Sequence, residues 1–158
     1  MATSNAATSY LENRLLSFIF KNNAASFSTP GDTIYVGLAT AVSNFDDSTG
    51  ESGTPAITEA DFTNYARVQV TAANWTLTAD TANQQTITNA ANIDFAASGG
   101  GGTDVITHCF IATHASASLD TLGSGGNVLF IGALDASKSI ATGDIFRINA
   151  GNLTIELK

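Results

Sequence analysis

The stretch Asn127–Leu157, NVLFIGALDASKSIATGDIFRINAGNLTIEL, constrains the fold more than any other part of the chain. An apolar run over Asn127–Leu134 is followed by a short polar turn and a Gly143-Asp144 turn. Asp144–Asn149 then alternates apolar and polar residues, Ala150-Gly151-Asn152 forms another turn, and Asn152–Leu157 alternates again. Period-2 alternation sends one side of each run toward a core, and short Gly- and Asn-containing turns join antiparallel neighbours. The block predicts tightly turned antiparallel strands, and no catalytic constellation lies in it.

The same punctuation continues toward the N-terminus. Strands are predicted over Thr33–Thr40, Tyr65–Thr71, Asn74–Ala79, Gln85–Thr88, Asn92–Phe95 and Asp104–Thr113. In the first, Ile34, Val36 and Leu38 alternate with Tyr35 and Gly37, the pattern of a half-buried strand. In the second, Val68 and Val70 oppose Tyr65, Arg67 and Gln69. Ala41–Thr63 is predicted as a long loop with a short helical turn in its later part, ITEADF, and Gly99–Gly102 as a flexible connector. Many short strands, with no alternation of strands and helices, predict a mainly β fold: an antiparallel β-sandwich, jelly-roll-like or Greek-key-like.

One helix is expected, over Ser9–Lys21. Ser9 and Glu12 fit a capping box, and Leu11, Leu15, Phe18 and Ile19 recur at helical spacing, with Leu16 and Phe20 widening the face. A helix this apolar must be covered, so Leu15 and Phe18 are expected to be buried against the sheet or a partner. Before it, residues 1–8 read as a small, polar arm, docked on its own domain or on another subunit. With 158 residues, 9–158 are expected to form a single domain.

Charged residues make up only 13% of the chain, against ~25% in a typical soluble domain. A surface of Thr, Ser, Asn, Ala and Gly suits broad contacts with neighbouring subunits, because little charge has to be desolvated. The net charge is −8, and the basic residues Arg14, Lys21, Arg67, Lys138, Arg147 and Lys158 are scattered. Nucleic-acid binding needs clustered Lys and Arg, and an anionic membrane surface has the same requirement, so neither is expected. A single cysteine, Cys109, allows no intrachain disulfide. MATSNAATSY lacks the basic start and apolar run of a signal peptide, and no apolar stretch approaches the ~20 residues of a membrane span, so synthesis in a reducing cytoplasm is expected.

No catalytic, cofactor-binding or metal-binding residue is assigned. His108 and Cys109 would point to opposite faces of a strand, and with His114 they are too few for a structural zinc site. The neighbours of Cys109, Phe110 and Ile111, place it in a core and not beside a catalytic base. Asp46, Asp47 and Glu51 lack the spacing of a dedicated calcium loop, and no Gly-Lys-Ser or Gly-Lys-Thr follows the glycines at 99–102. Trp75 is read as a core or interface anchor. Arg67 and Arg147 each stand in a strand, read either as outward and solvated or as inter-subunit contacts to an acidic loop.

Taken in order, four pieces carry a resemblance: YLENRLLSFIFKN; TIYVGLAT with its acidic loop; NYARVQV followed by the Trp75 strand; and GGNVLFIGALDASKSIATGDIFRINAGNLTIEL. Together they resemble small virion structural proteins of tailed phages, both capsid cement (decoration) and tail-fibre-like proteins. The resemblance implies a non-enzymatic β-sandwich, without cofactors, that assembles on the particle. The expected role is capsid cement: a homotrimer on the outer capsid surface that binds the major capsid protein and bridges its subunits, made in the host cytoplasm. The alternative is a tail-associated or receptor-binding protein. An enzyme such as a polysaccharide hydrolase is a third class, for which no motif is carried over.

Overall fold

The structure is a computed structural model that describes residues 5–7, 15, 20, 34–43, 56–79, 85–101, 104–116 and 128–157. In chain order its strands are β1 (Asn5–Ala7), β2 (Tyr35–Ser43), β3 (Ala56–Glu59), β4 (Val68–Gln69), β5 (Trp75–Ala79), β6 (Gln85–Asn89), β7 (Ile93–Asp94), β8 (Asp104–Ala112), β9 (Val128–Ile140), β10 (Arg147–Ile148) and β11 (Thr154–Leu157). All pairings are antiparallel. A six-stranded sheet runs β1-β9-β8-β2-β3, with β4 also on β2; β11-β6-β5 and β10-β7 form smaller sheets. The mainly β, antiparallel architecture is the one that the alternation and turns imply.

The main core lies between one face of the large sheet and the smaller sheets with their connections, a sandwich-like arrangement. Val36, Leu38, Ile106 and Ile140 from the large sheet meet Ile93, Phe95, Phe146, Ile148 and Leu153. A row of rings crosses it. Phe62 meets Tyr65 edge-on at 5.3 Å, Tyr65 lies parallel to Phe95 at 6.1 Å, and Phe95 meets Phe146 edge-on at 5.9 Å. Such ring pairs add about 0.5–1.5 kcal/mol each beyond the area they bury.

A second cluster, Ala39, Phe110, Ala112, Val128 and Ile131, lies on the opposite face. β2 is therefore buried on both faces, not half-buried as its alternation predicts. Gly37 makes this possible: it pairs with Phe110 across β2–β8, and a Cβ at Gly37 would stand 2.2 Å from Phe110 Cζ. The missing side chain is the seat of the ring.

Several elements depart from the sequence expectations. ITEADF contains β3 and not a helical turn, because Ile57, Thr58 and Glu59 pair with β2. The predicted strand over Tyr65–Thr71 shrinks to β4. The polar stretch Asp135–Ser139 is not a turn but the exposed middle of β9, which runs on until Ile140 is fully buried opposite Asp104. Asn5–Ala7 of the expected arm forms β1 on β9 of its own chain.

The glycines at 99–101 are not a flexible connector. Gly99 N–H donates to the Thr63 carbonyl (2.8 Å), Thr63 N–H to the Gly100 carbonyl (3.0 Å) and Gly143 N–H to the Ser98 carbonyl (2.7 Å). Gly100 and Gly101 have φ of 102° and 106°, a region that side chains disfavour, so glycine is needed to hold this turn between its neighbours. The predicted helix over Ser9–Lys21 lies outside the described residues except for Leu15 and Phe20. These two have helical backbone and are 40% and 78% exposed. Leu15 is thus not buried within the chain, while Phe18 lies outside the described residues.

Gly37→Ala is expected to lower stability by at least about 1–3 kcal/mol, the usual cost of overpacking. Trimming the ring as well, in Gly37→Ala with Phe110→Leu, should recover part of the loss. Urea unfolding of the three proteins checks this; an unchanged midpoint for Gly37→Ala would disprove the seat.

Candidate functional site

The most elaborate polar arrangement is built where β3 leaves the sheet and the chain returns as β4. Glu59 ends β3. Arg67 Nε donates to Glu59 Oε1 and Nη2 to Oε2, both at 2.8 Å, a bidentate pair. Arg67 Nη1 donates to the His114 carbonyl just beyond β8 at 2.7 Å. The Tyr65 hydroxyl donates to Glu59 Oε1 (2.8 Å) and accepts from the Leu38 N–H of β2 (2.9 Å). The guanidinium carbon lies 5.5 Å from the Phe110 ring centre, so the cation also covers the aromatic face. The Arg67 side chain is 3% exposed and that of Glu59 25%. Burial, with the Glu59 carboxylate beside it, raises the Tyr65 phenol well above its ordinary value and keeps it a donor.

This corrects the reading of Arg67 as outward and solvated. It is not solvated, and the acid it meets belongs to its own chain, where it is buried. Glu59 was hidden in a segment read as loop and helical turn. The available signal was the scarcity of charge: an Arg in such a chain needs an acid, and Glu59 lies eight residues away. Arg147 likewise pairs within the chain, with Asp94 across β7–β10. That pair is exposed at the surface; hydrogen bonding to Arg147 holds the Asp94 carboxyl below its usual range, and Asp94 in turn raises Arg147.

His108 and Cys109 point to opposite faces of β8, as strand geometry requires, and Cys109 packs against the main core. Two register shifts meet at Thr107. The β8–β9 register slips between Ile106 and His108, and the β2–β3 register slips between Ala39 and Ala41. Thr107 Oγ1 donates to the Thr40 carbonyl (3.0 Å) and lies 2.8 Å from His108 Nδ1. Partial burial lowers the His108 pKa. His114 is exposed, and its Nδ1 accepts from Ser116 N–H at 3.1 Å. Among the described residues no three His, Cys, Asp or Glu side chains gather to hold a metal ion. Asp46, Asp47 and Glu51 lie outside the described residues.

A different surface stands open on the small sheet β11-β6-β5. Its register places Leu77, Ile87 and Ile155 side by side. Leu77 is 68% exposed, and Ile87 and Ile155 are half-buried. Trp75, at the inner end of β5, packs against the core as an anchor; its indole N–H is buried without an acceptor among the described residues.

Removing Glu59 leaves a buried cation without its partner, so Glu59→Ala is expected to cost about 3 kcal/mol or more. Arg67→Met, which keeps the stem and removes the charge, should cost clearly less in the Glu59→Ala background than alone. A double-mutant cycle by chemical unfolding measures this; additive effects would reject the clamp.

Burial pushes the Cys109 thiol up to about 11. Its folded value lies above the unfolded ~8.5, so this contribution to stability is complete below ~8.5 and is lost as the pH rises through the folded value. Alkylation of the native chain at mildly alkaline pH should run about 100-fold or more slower than that of the unfolded chain. Equal rates would show an accessible thiol.

The scaffold thus holds structural clamps and an open apolar sheet, with no assembled reaction centre among the described residues. No curated protein matches the chain. The family described as Podophage GP4 fiber I protein gp80 matches residues 6–156. That match takes in almost the whole sequence, and the chain belongs to the Podophage GP4 fiber I protein gp80 family.

Proposed function

We propose that this chain is a non-enzymatic structural subunit of the fibre apparatus of a podophage virion. The observation that carries the reading is the match to a fibre-protein family over residues 6–156. The architecture supports it. Antiparallel sheets with a buried ion pair give a rigid body, and a surface with few charges can be covered by neighbours at little desolvation cost. The work of such a subunit is mechanical: it fills a place in an assembly and transmits load through backbone hydrogen bonds.

A second reading, capsid cement, draws on the same surface. A net charge of −8 suits an outer shell face and not one turned toward packaged DNA. In that reading the chain, as a homotrimer, bridges major-capsid subunits. The readings differ in place and number. Immunogold labelling of intact virions, with quantitative mass spectrometry, is expected to put label on the fibres at a copy number far below that of the major capsid protein. Label over the head, with copies comparable to the capsid subunit, would replace the fibre reading with cement. Absence from purified virions would reject both.

A further inference from the structure

We infer that β5 is a self-pairing edge, through which two copies of this chain join antiparallel about a two-fold axis at Leu77. The inference stands on the chain's own backbone and holds wherever on the particle the chain is mounted.

Hydrogen-bond alternation shows what β5 offers. Ala90 N–H donates to the Asn74 carbonyl (2.7 Å), and β5 pairs with β6 in the register Trp75↔Asn89, Thr76↔Thr88 and Leu77↔Ile87. In an antiparallel ladder, bonded pairs recur at every second residue. Asn74, Thr76 and Thr78 therefore direct their backbone groups to β6, and Trp75, Leu77 and Ala79 turn theirs away. The other side of β6 agrees, since Asn89 N–H donates to the Leu153 carbonyl and so bonds toward β11. Among the described residues β5 ends its sheet. The N–H of Trp75 is already used, on the Ala72 carbonyl. What remains outward is the N–H and C=O of Leu77, the Trp75 carbonyl, and the N–H and C=O of Ala79.

These groups match their own copy. With Leu77 opposite the partner's Leu77, the two residues exchange both hydrogen bonds. Each Ala79 N–H then reaches the partner's Trp75 carbonyl; because the Trp75 N–H is already on Ala72, the Ala79 carbonyl takes no bond from the partner strand, and four hydrogen bonds join the two copies. β5 has 5 residues, WTLTA, so this register is centred with no overhang. Thr76 lies opposite the partner's Thr78, and the two exposed leucines meet on one face of a continuous sheet.

Charge selects the occupant. Each copy carries −8, so like copies meet at least cost where acids are absent. The strands WTLTA, QTITN and TIEL contain one charged residue, Glu156, and it is on β11, the other end strand. A two-fold pairing of β11 would bring Glu156 near its copy, whereas β5 carries no charge. Exposed edges are ordinarily protected by charge, proline or a bulge. β5 has neither charge nor proline, its register with β6 is unbroken, and Leu77 is 68% exposed on it.

The test uses the purified full chain. Sedimentation velocity from micromolar to millimolar concentration should show a reversible doubling of mass. Amide hydrogen exchange should show Leu77 and Ala79 gaining protection as the dimer forms. Leu77→Lys, an exposed change that places a charge on the axis, should remain monomeric over the same range. Its thermal transition and the fluorescence of Trp75 should match those of the wild-type monomer. A monomeric wild type throughout would overturn the inference. So would a dimer or trimer in which the Leu77 and Ala79 amides exchange as fast as in the monomer, a result readable even if Leu77→Lys fails to fold. Undiminished association of a folded Leu77→Lys would overturn it too. None of these outcomes bears on where the chain sits in the virion.

Discussion

The bidentate pair between Arg67 and Glu59 is the constraint on which the rest of the large sheet depends. β2 must accept two partners on one edge: β4 at Tyr35 and Val36, and β3 from Ala39 onward. Both come from one continuous segment, so the chain has to leave the edge and return to it. Glu59 stands at the departure and Arg67 just before the return, and their pairing closes the excursion. Tyr65 ties the same carboxylate to the Leu38 backbone, and Arg67 reaches over Phe110 to the His114 carbonyl. A buried ion pair contributes little net stability compared with apolar residues of the same shape. Its contribution here is register: slipping β3 by one residue would strand a cation in the interior.

What the sequence made legible follows from where each signal is local. Turns and alternation located β5, β6, β8 and β11 closely, because Asn, Gly and period-2 patterns act over a few residues. β3 was missed because its pairing with β2 is set across a long connection and interrupted by the slip near Thr40. The far half of β9 was missed because its polar middle resembles a turn; the buried Ile140 that carries it onward is a tertiary fact. Gly37 read as an ordinary alternating position, and only the ring across the sheet explains it. The site divides in the same way. The core position of Cys109 and the divergence of His108 from it followed from strand geometry. The partner of Arg67 did not, since nothing local distinguishes an acid in the same chain from one in a neighbour.

Interior and exterior invert the usual distribution of charge. The described chain keeps a full ion pair inside, at Arg67 and Glu59, and leaves a sheet of Thr, Leu and Ile outside. For a free-standing enzyme that surface would be an aggregation hazard. For a fibre subunit of the kind proposed above, it is surface that neighbours could cover. Membership in a fibre-protein family and this distribution of polarity point the same way.

The pairing of β1 with β9 has a further consequence, in the order of events at the ribosome. Asn5 lies opposite Gly132, and Tyr35 of β2 opposite Ala112 of β8. The first strand made therefore waits for almost the last. Contacts this distant in sequence are slow to form, because long loops must close before any pairing rewards them. The large sheet cannot be completed until β9 has cleared the exit tunnel, and for most of its synthesis the nascent chain carries unpaired β-rich segments. A virus that makes this subunit thus depends on the host's capacity to shelter nascent β-strands.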